Sequence, residues 1–407
     1  MPETNTNFNG QNLATFSNAL KYNYLPAWQN MLGIEPSALL GKTKKIKLVS
    51  NQIAASAPIG LSGGFGFGAE GAETPAAGGV KIERFITNAK DMYVNVVISE
   101  KAVSLTGSAG AMANALDTEV KGAYETAKWN VGRSLFGNGT GILTTTEAAT
   151  TNTIKVAETR NLKEGLIIDI YEATVTDGKV TKGTESLAVK GRRLLAVDRV
   201  NKTITIDGGS VSVGAGFVTV QNSFNREITG LGAIFDDSIT TIYGVDKTIN
   251  PVLKPTVYDC GDDISDGIIW DALETAETHK GSKVDTFMCG KEAYKHYIDY
   301  LRVNNIRMED RSHTITGGFK AIKFTYGNRE VDIIYEPFVP ETEMWGVESD
   351  RLEFHSLDWK FAELNNAGIF NLMENQSVYR ALLVNYGDLI CTNPGGCIRL
   401  TGVGYAE

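Results

Sequence analysis

The sequence predicts an α+β chain with a small β-rich domain inserted into it. Three observations carry this. An unbroken helical stripe of apolar residues runs through Ala109–Phe136, the stretch after it is a series of short alternating runs rich in Thr, Val, Ile and Gly, and the last third alternates two helices with strands. The 407 residues are enough for two or three cores, and 42% hydrophobic with 21% charged residues is ordinary for a globular chain. A formal net charge of −9 argues against gripping nucleic acid through its phosphates. No apolar run approaches the ~20 residues needed to cross a bilayer, and the polar start MPETNTNFNG reads as neither anchor nor secretion leader.

The first forty residues read as an arm. A short helix is expected over 12–21, with Leu13, Phe16 and Leu20 on one side and Pro26 preventing its continuation. A strand is expected over 43–49, and Lys42, Lys44, Lys45 and Lys47 beside it read as a solvated face or as ion-pair partners between subunits. Residues 51–79, NQIAASAPIGLSGGFGFGAEGAETPAAGG, are dominated by glycine and other small residues yet hold Ile53, Ile59, Leu61, Phe65 and Phe67. Such a segment cannot build its own core, because glycine loses the most entropy on ordering and has no side chain to pack. With the alternation of Tyr93, Asn95 and Val97 against Val94, Val96 and Ile98 that follows, it predicts a long β-hairpin, turning either near 88–91 or at the glycine tip. A two-stranded hairpin alone is marginal in water, so this one needs a partner surface.

In the long helix Met112, Leu116, Val120, Ala123 or Tyr124, Ala127, Val131 and Leu135 form one stripe, with Asp117, Lys121, Glu125 and Lys128 opposite. Ser108 is the expected N-cap and Gly137 the expected C′ residue, leading into the turn LFGNGTG with Gly139 and Gly141. Between 144 and 225 the short runs and their turns at Asp177–Gly178, Asp207–Gly209 and 213–216 suggest a small barrel or sandwich. A helix over 262–280, capped by Asp262 or Asp263, is followed by a buried strand over 284–289 and a helix over 291–304. Strands are expected over 319–326, 329–335, 343–347, 352–354, 376–386 and 389–400.

A search for chemistry finds nothing that converges. His279, His296, His313 and His355 share no metal-ligand spacing, and Cys391 and Cys397 are too far apart for the usual zinc pair. The four cysteines, Cys260, Cys289, Cys391 and Cys397, point to a reduced setting, with pairing of the last two left open. Asp259, Asp262, Asp263 and Asp266 lack a calcium-loop register and read as helix N-terminal acids. GGFGFGAEG and GNGTG lack the strand-then-helix setting of a phosphate loop, and no G-x-S-x-G occurs. Trp345, Trp359 and Phe361 read as core, and Lys190, Arg192, Arg193 and Arg199 as exposed charge. No catalytic residue, metal or cofactor is expected.

The order of parts resembles the HK97-like major capsid proteins of tailed bacteriophages. The resemblance is sharpest at SEKAVSLTGSAGAMANALDTEVKGAYETAKWNVGRSLFGNGTG (99–141), and extends to NREITG (225–230), TFMCGKEAYKHYIDYL, EVDIIYEPFVPETEMWGV and NPGGCIRLTGVG. It implies an N-terminal arm over 1–50, an E-loop hairpin over 51–98 and a P-domain spine helix over 99–141. An inserted β-rich domain over 142–228 then departs from the minimal fold, followed by a P-domain return over 229–259 and an A-domain with closing P-domain strands over 260–407. It further implies assembly contacts through Leu61, Phe65 and Phe67, packing of the spine through Met112, Leu116, Val120, Val131 and Leu135, and a helix-ending turn at Gly137, Gly139 and Gly141. The implied function is a non-catalytic subunit that self-assembles into pentamers and hexamers of an icosahedral shell. The implied setting is the virion, assembled in the host cytoplasm around double-stranded DNA held without sequence preference, with no membrane. A separate scaffolding chain, a portal and room for a decoration protein complete the expected partners. The alternatives are an encapsulin-type compartment shell and a β-rich glycan-binding virion protein. Net negative charge suits a DNA container, since a wall that bound DNA tightly would immobilise it.

Overall fold

The computed structural model describes residues 24–404 apart from 33–35, 59, 61–62, 72, 74–75, 77, 100–108, 177–178, 262, 305–311, 315–319, 364–368 and 374–375, and without the side chains of 30, 109–117 and 312–314. The expected helix over 12–21 and the expected cap at Ser108 lie outside the described residues.

Two short helices, Leu25–Leu32 and Ala38–Lys42, open the described chain. Pro26 sits in the first turn of the former, where a missing N–H leaves no bond unmade. Trp28 of that helix is buried against Tyr124, ring centroids 5.6 Å apart, and Phe361 at 6.4 Å. Ser37 caps the second helix by accepting the Leu39 N–H at 3.1 Å. The strand after it is Lys44–Lys47, shorter than expected, and it pairs in parallel with Leu352–Ser356. Lys42 is not a free face: it donates to Asp332 and to Thr286 within the same chain.

The hairpin pairs Gln52–Pro58 with Ile82–Asn88, so its connection is the glycine-rich stretch. The alternative turn near 88–91 is overturned. There the chain leaves the hairpin and enters Lys90–Ser99, which pairs along its length with Val378–Cys391. The alternating valines explain this, because Val96 becomes fully buried only against a long partner strand. Val378–Cys391 is the hub of a six-stranded sheet, pairing also with Leu352–Ser356, Lys360–Phe361 and Phe370–Leu372. The two strands expected over 376–386 and 389–400 are thus one 14-residue strand, a turn at Pro394–Gly396, and a short strand Ile398–Thr401.

The helix Ala109–Phe136 has 28 residues, about 42 Å at 1.5 Å per residue, and packs against Lys90–Ser99 and Leu25–Leu32. Val120, Tyr124, Ala127, Val131, Leu135 and Phe136 enter the largest core together with the hairpin base and the six-stranded sheet.

Six strands of the inserted segment form one sheet in the order Ile142–Thr146, Gly216–Val220, Ile167–Glu172, Ser186–Asp198, Thr203–Ile206, Thr153–Lys155. Its first and last members meet through a bridge between Thr146 and Val156, with Glu147 N–H to Lys155 O at 3.1 Å and Ala157 N–H to Thr145 O at 3.0 Å. The sheet therefore closes on itself as a barrel, filled by Leu143, Ile154, Ile168, Ile170, Leu194, Ile204, Ile206 and Val218.

The C-terminal part is a seven-stranded mixed sheet with helices Asp266–Lys280 and Lys291–Val303 over a core of its own. The first helix starts later than expected, and its cap is Ser265, which accepts the Ile268 N–H, in place of Asp262 or Asp263. Gly281, left-handed at φ 61°, ends it.

Candidate assembly surfaces

The hairpin is pinned at one end and bare at the other. At its base Ile53, Ala57 and Phe85 are buried, and Phe85 lies 5.5 Å from the ring of Tyr243. The Ile86 N–H donates to Tyr243 O at 2.8 Å. Toward the tip, Phe65 and Phe67 are 81% and 95% exposed, edge to face at 5.2 Å, and Val80 and Ile82 are also exposed. At Gly78 a Cβ would come within 2.4 Å of the Gly63 nitrogen, so the two legs touch through backbone where only glycine fits. Leu61 lies outside the described residues. Two exposed phenylalanines held out on a rooted limb are apolar surface that the other described residues do not cover.

Asp388 roots the limb. Its carboxylate accepts from Thr87 Oγ1 at 2.6 Å, Thr229 N–H at 2.7 Å, Thr229 Oγ1 at 3.0 Å and its neighbour Leu389 N–H at 3.0 Å. Burial pushes its pKa up, and the hydrogen bonds from Thr87 and Thr229 offset part of that push. One side chain thus ties the hairpin base, the segment returning from the barrel and the central strand. Asp388 was not among the residues singled out from the sequence. The available signal was an acidic residue inside the apolar run YGDLIC, which demands satisfied hydrogen bonds once buried.

Of the spine residues, Val120, Val131 and Leu135 are buried, while the side chains of Met112 and Leu116 lie outside the described set. The turn departs from expectation at Gly137. Its N–H bonds to Ser134 O at 3.1 Å, and it is Gly139 (φ 83°) and Gly141 (φ 77°) that adopt the left-handed conformation, not Gly137. Asn138 organises the turn, its Oδ1 accepting from Thr140 N–H and Oγ1 at 3.1 and 2.6 Å while its Nδ2 donates to Asp236 at 3.0 Å. Burial opposes the Asp236 carboxylate, but bonds from Ser238 and Asn138 outweigh it and hold its pKa below the usual range. The returning chain locks onto the helix end, with Leu231 N–H on Leu135 O at 2.8 Å. Arg133 clamps Glu227 with two bonds of 2.9 and 2.6 Å, both side chains being buried.

The remaining polar ties join layers. Arg399 makes a two-pronged bond to Glu343, which also accepts from the Trp345 indole at 2.7 Å, and Arg399 reaches Phe235 O at 3.1 Å. Glu336 is buried on the C-terminal sheet and accepts from Ser37 at 2.7 Å, joining the N-terminal segment to that sheet. Burial raises its pKa to about 7 against the partial offset from Ser37 and the Phe338 N–H. Trp345, Trp359 and Phe361 are core residues, and Arg192 donates to Asp207 O at 3.1 Å. Cys391 and Cys397 are free buried thiols with Sγ atoms 3.9 Å apart. Among the described residues no group of three or more His, Cys, Asp or Glu is placed to hold a metal ion, and no helix is long and apolar enough to cross a membrane.

The mixed α+β architecture described above has the HK97-like fold of solved phage capsid chains. The particular likeness is to a solved chain of the cyanophage A-1(L) capsid asymmetric unit, with TM-score 0.50 and 10% identity over 94% of this chain and 93% of that one. Two further similar structures are the holo-SrpI encapsulin complex from Synechococcus elongatus PCC 7942 (TM-score 0.44, 8% identity, 90% and 86% covered) and Mycobacterium phage Bobi (TM-score 0.43, 9% identity, 91% of each chain covered). No family model and no curated protein matches the sequence.

Proposed function

We propose that this chain is a non-catalytic structural subunit that self-assembles, as pentamers and hexamers, into the icosahedral shell of a tailed phage around double-stranded DNA. The observation that carries the reading is the limb: its base is buried in the core while its phenylalanine tip is left to solvent on a fold shared with a capsid chain. In an assembly that tip is covered by a neighbouring copy, and the contact resembles an obligate interface more than a transient one. The buried spine residues Val120, Val131 and Leu135 carry the sheet beneath the helix, and the glycine turn hands the chain to the inserted barrel. A net charge of −9 keeps enclosed DNA free of the wall. Assembly in the host cytoplasm, a separate scaffolding chain, a portal and a surface-bound decoration protein belong to the same proposal. Electron microscopy of the purified protein tests it. Closed shells or ring-shaped capsomers are expected, and a stable monomer at high concentration would contradict the reading. Nucleic acid inside native particles supports a phage shell, whereas an enzyme cargo would favour a protein compartment.

A further inference from the structure

Three buried side-chain atoms without a partner belong to residues that line one cavity. They are Arg133 Nε, Arg160 Nε and Asn161 Oδ1, three of the seven such atoms among the described residues. The cavity, about 60 Å³, is lined also by Asn138, Glu227, Phe338 and Trp345. It lies where the spine helix ends, the barrel begins and the segment 338–345, a loop running into the strand Met344–Val347, passes. A buried polar atom left unpaired costs about 1–3 kcal/mol, so three in one place call for an occupant.

The chemistry of the lining selects it. The occupant must accept from two N–H groups and donate to one carbonyl oxygen. An anion satisfies the two arginines but has nothing to give Asn161, and both arginines already have carboxylate partners, Arg133 in Glu227 and Arg160 in Glu158 at 3.2 Å. A cation is repelled by the guanidinium groups. Water both accepts and donates, and a space of about 60 Å³ is well above the ~10–15 Å³ that a single water needs, with room for about two at ~30 Å³ each. We propose that this cavity is a built hydration site, in which ordered waters bridge Arg133 on the spine to Arg160 and Asn161 on the barrel. Beside the apolar bridge made by Trp129, which packs against both cores, the barrel is thereby keyed to the spine through solvent.

The proposal is independent of the shell reading. A density map of the purified protein, at a resolution that shows ordered water, is expected to contain peaks within hydrogen-bond distance of all three atoms. Asn161→Leu should remove the peak beside it while the Arg133–Glu227 clamp persists. Direct bonds among the three side chains with no peak between them would overturn the proposal, and so would a side chain of a neighbouring copy seated in the cavity. Thermal unfolding in phosphate against chloride at equal ionic strength supplies the check on an anion. No phosphate-specific rise is expected for water, and a rise that Asn161→Leu leaves intact while Arg160→Leu abolishes it would replace water by an anion.

Discussion

Glu336 makes the chain less stable as pH rises, and replacing it by Gln should reverse that. Its carboxyl lies buried, accepts from Ser37 Oγ at 2.7 Å, and has its pKa raised by burial from 4.5 to about 7. A carboxyl whose folded pKa exceeds its unfolded pKa binds its proton more tightly when folded. Its stabilising effect is therefore complete below about pH 4.5 and is lost as pH climbs through 7. The gap of about 2.5 units, at 1.36 kcal/mol each, corresponds to about 3 kcal/mol. Gln has the shape of the neutral acid and can still accept from Ser37, so Glu336→Gln should match the parent near pH 4.5 and exceed it by up to ~3 kcal/mol at pH 8–9. Denaturant unfolding across that range, followed by tryptophan fluorescence, measures the difference. A variant less stable than the parent at pH 8 would refute the reasoning, because it would mean that the ionised carboxylate is the stabilising form.

Other expectations concern the limb, the spine and the thiols. Phe65→Ser with Phe67→Ser should leave unfolding of the unassembled subunit unchanged, since both rings are in solvent. The same pair should weaken assembly by about 3–6 kcal/mol per contact, at ~1.5–3 kcal/mol for each buried phenylalanine, read as a rise in the critical concentration by light scattering. Arg133→Ala strands Glu227 as a buried unpaired carboxylate and should cost about 3–5 kcal/mol in denaturant unfolding. All four thiols are buried; burial pushes Cys260 up to about 11 and Cys289 well above the ordinary thiol range, and the hydrogen bond with Cys391, together with burial, raises Cys397 likewise. Reaction with a thiol-specific disulfide reagent at pH 7 should therefore be slow when the chain is folded and complete once it is unfolded.

What the sequence reveals here depends on how local the determinant is. The long helix shows itself because its stripe repeats over seven turns, and the Thr- and Val-rich strands because their alternation is bounded by Gly turns. Leu25–Leu32 and Ala38–Lys42 are too short to display a period and are helical because Trp28, Leu32, Leu39 and Leu40 pack into the main core. The partner of Lys90–Ser99 lies nearly 300 residues away, so alternation alone could not tell a second hairpin from a long-range pair. The glycines of the turn were visible as a group, but the close approach that leaves no room for a Cβ at Gly141, 2.6 Å from the Ser223 carbonyl oxygen, comes from the returning chain about 80 residues on. Asp388, Glu336 and the Arg133–Glu227 clamp act through residues 94 to 301 positions distant. No local pattern announces such pairs. The exposed phenylalanines were legible because glycine-rich sequence cannot cover its own aromatic residues.

The most direct test of the account is amide hydrogen exchange on the limb in two states of the same protein, unassembled subunits and closed particles. Slow exchange at residues 63–71 and 78–82 in the particle, with fast exchange in the subunit, is the predicted result. Equal and rapid exchange in both would mean that no neighbouring copy covers the tip, and the shell proposal would not survive it.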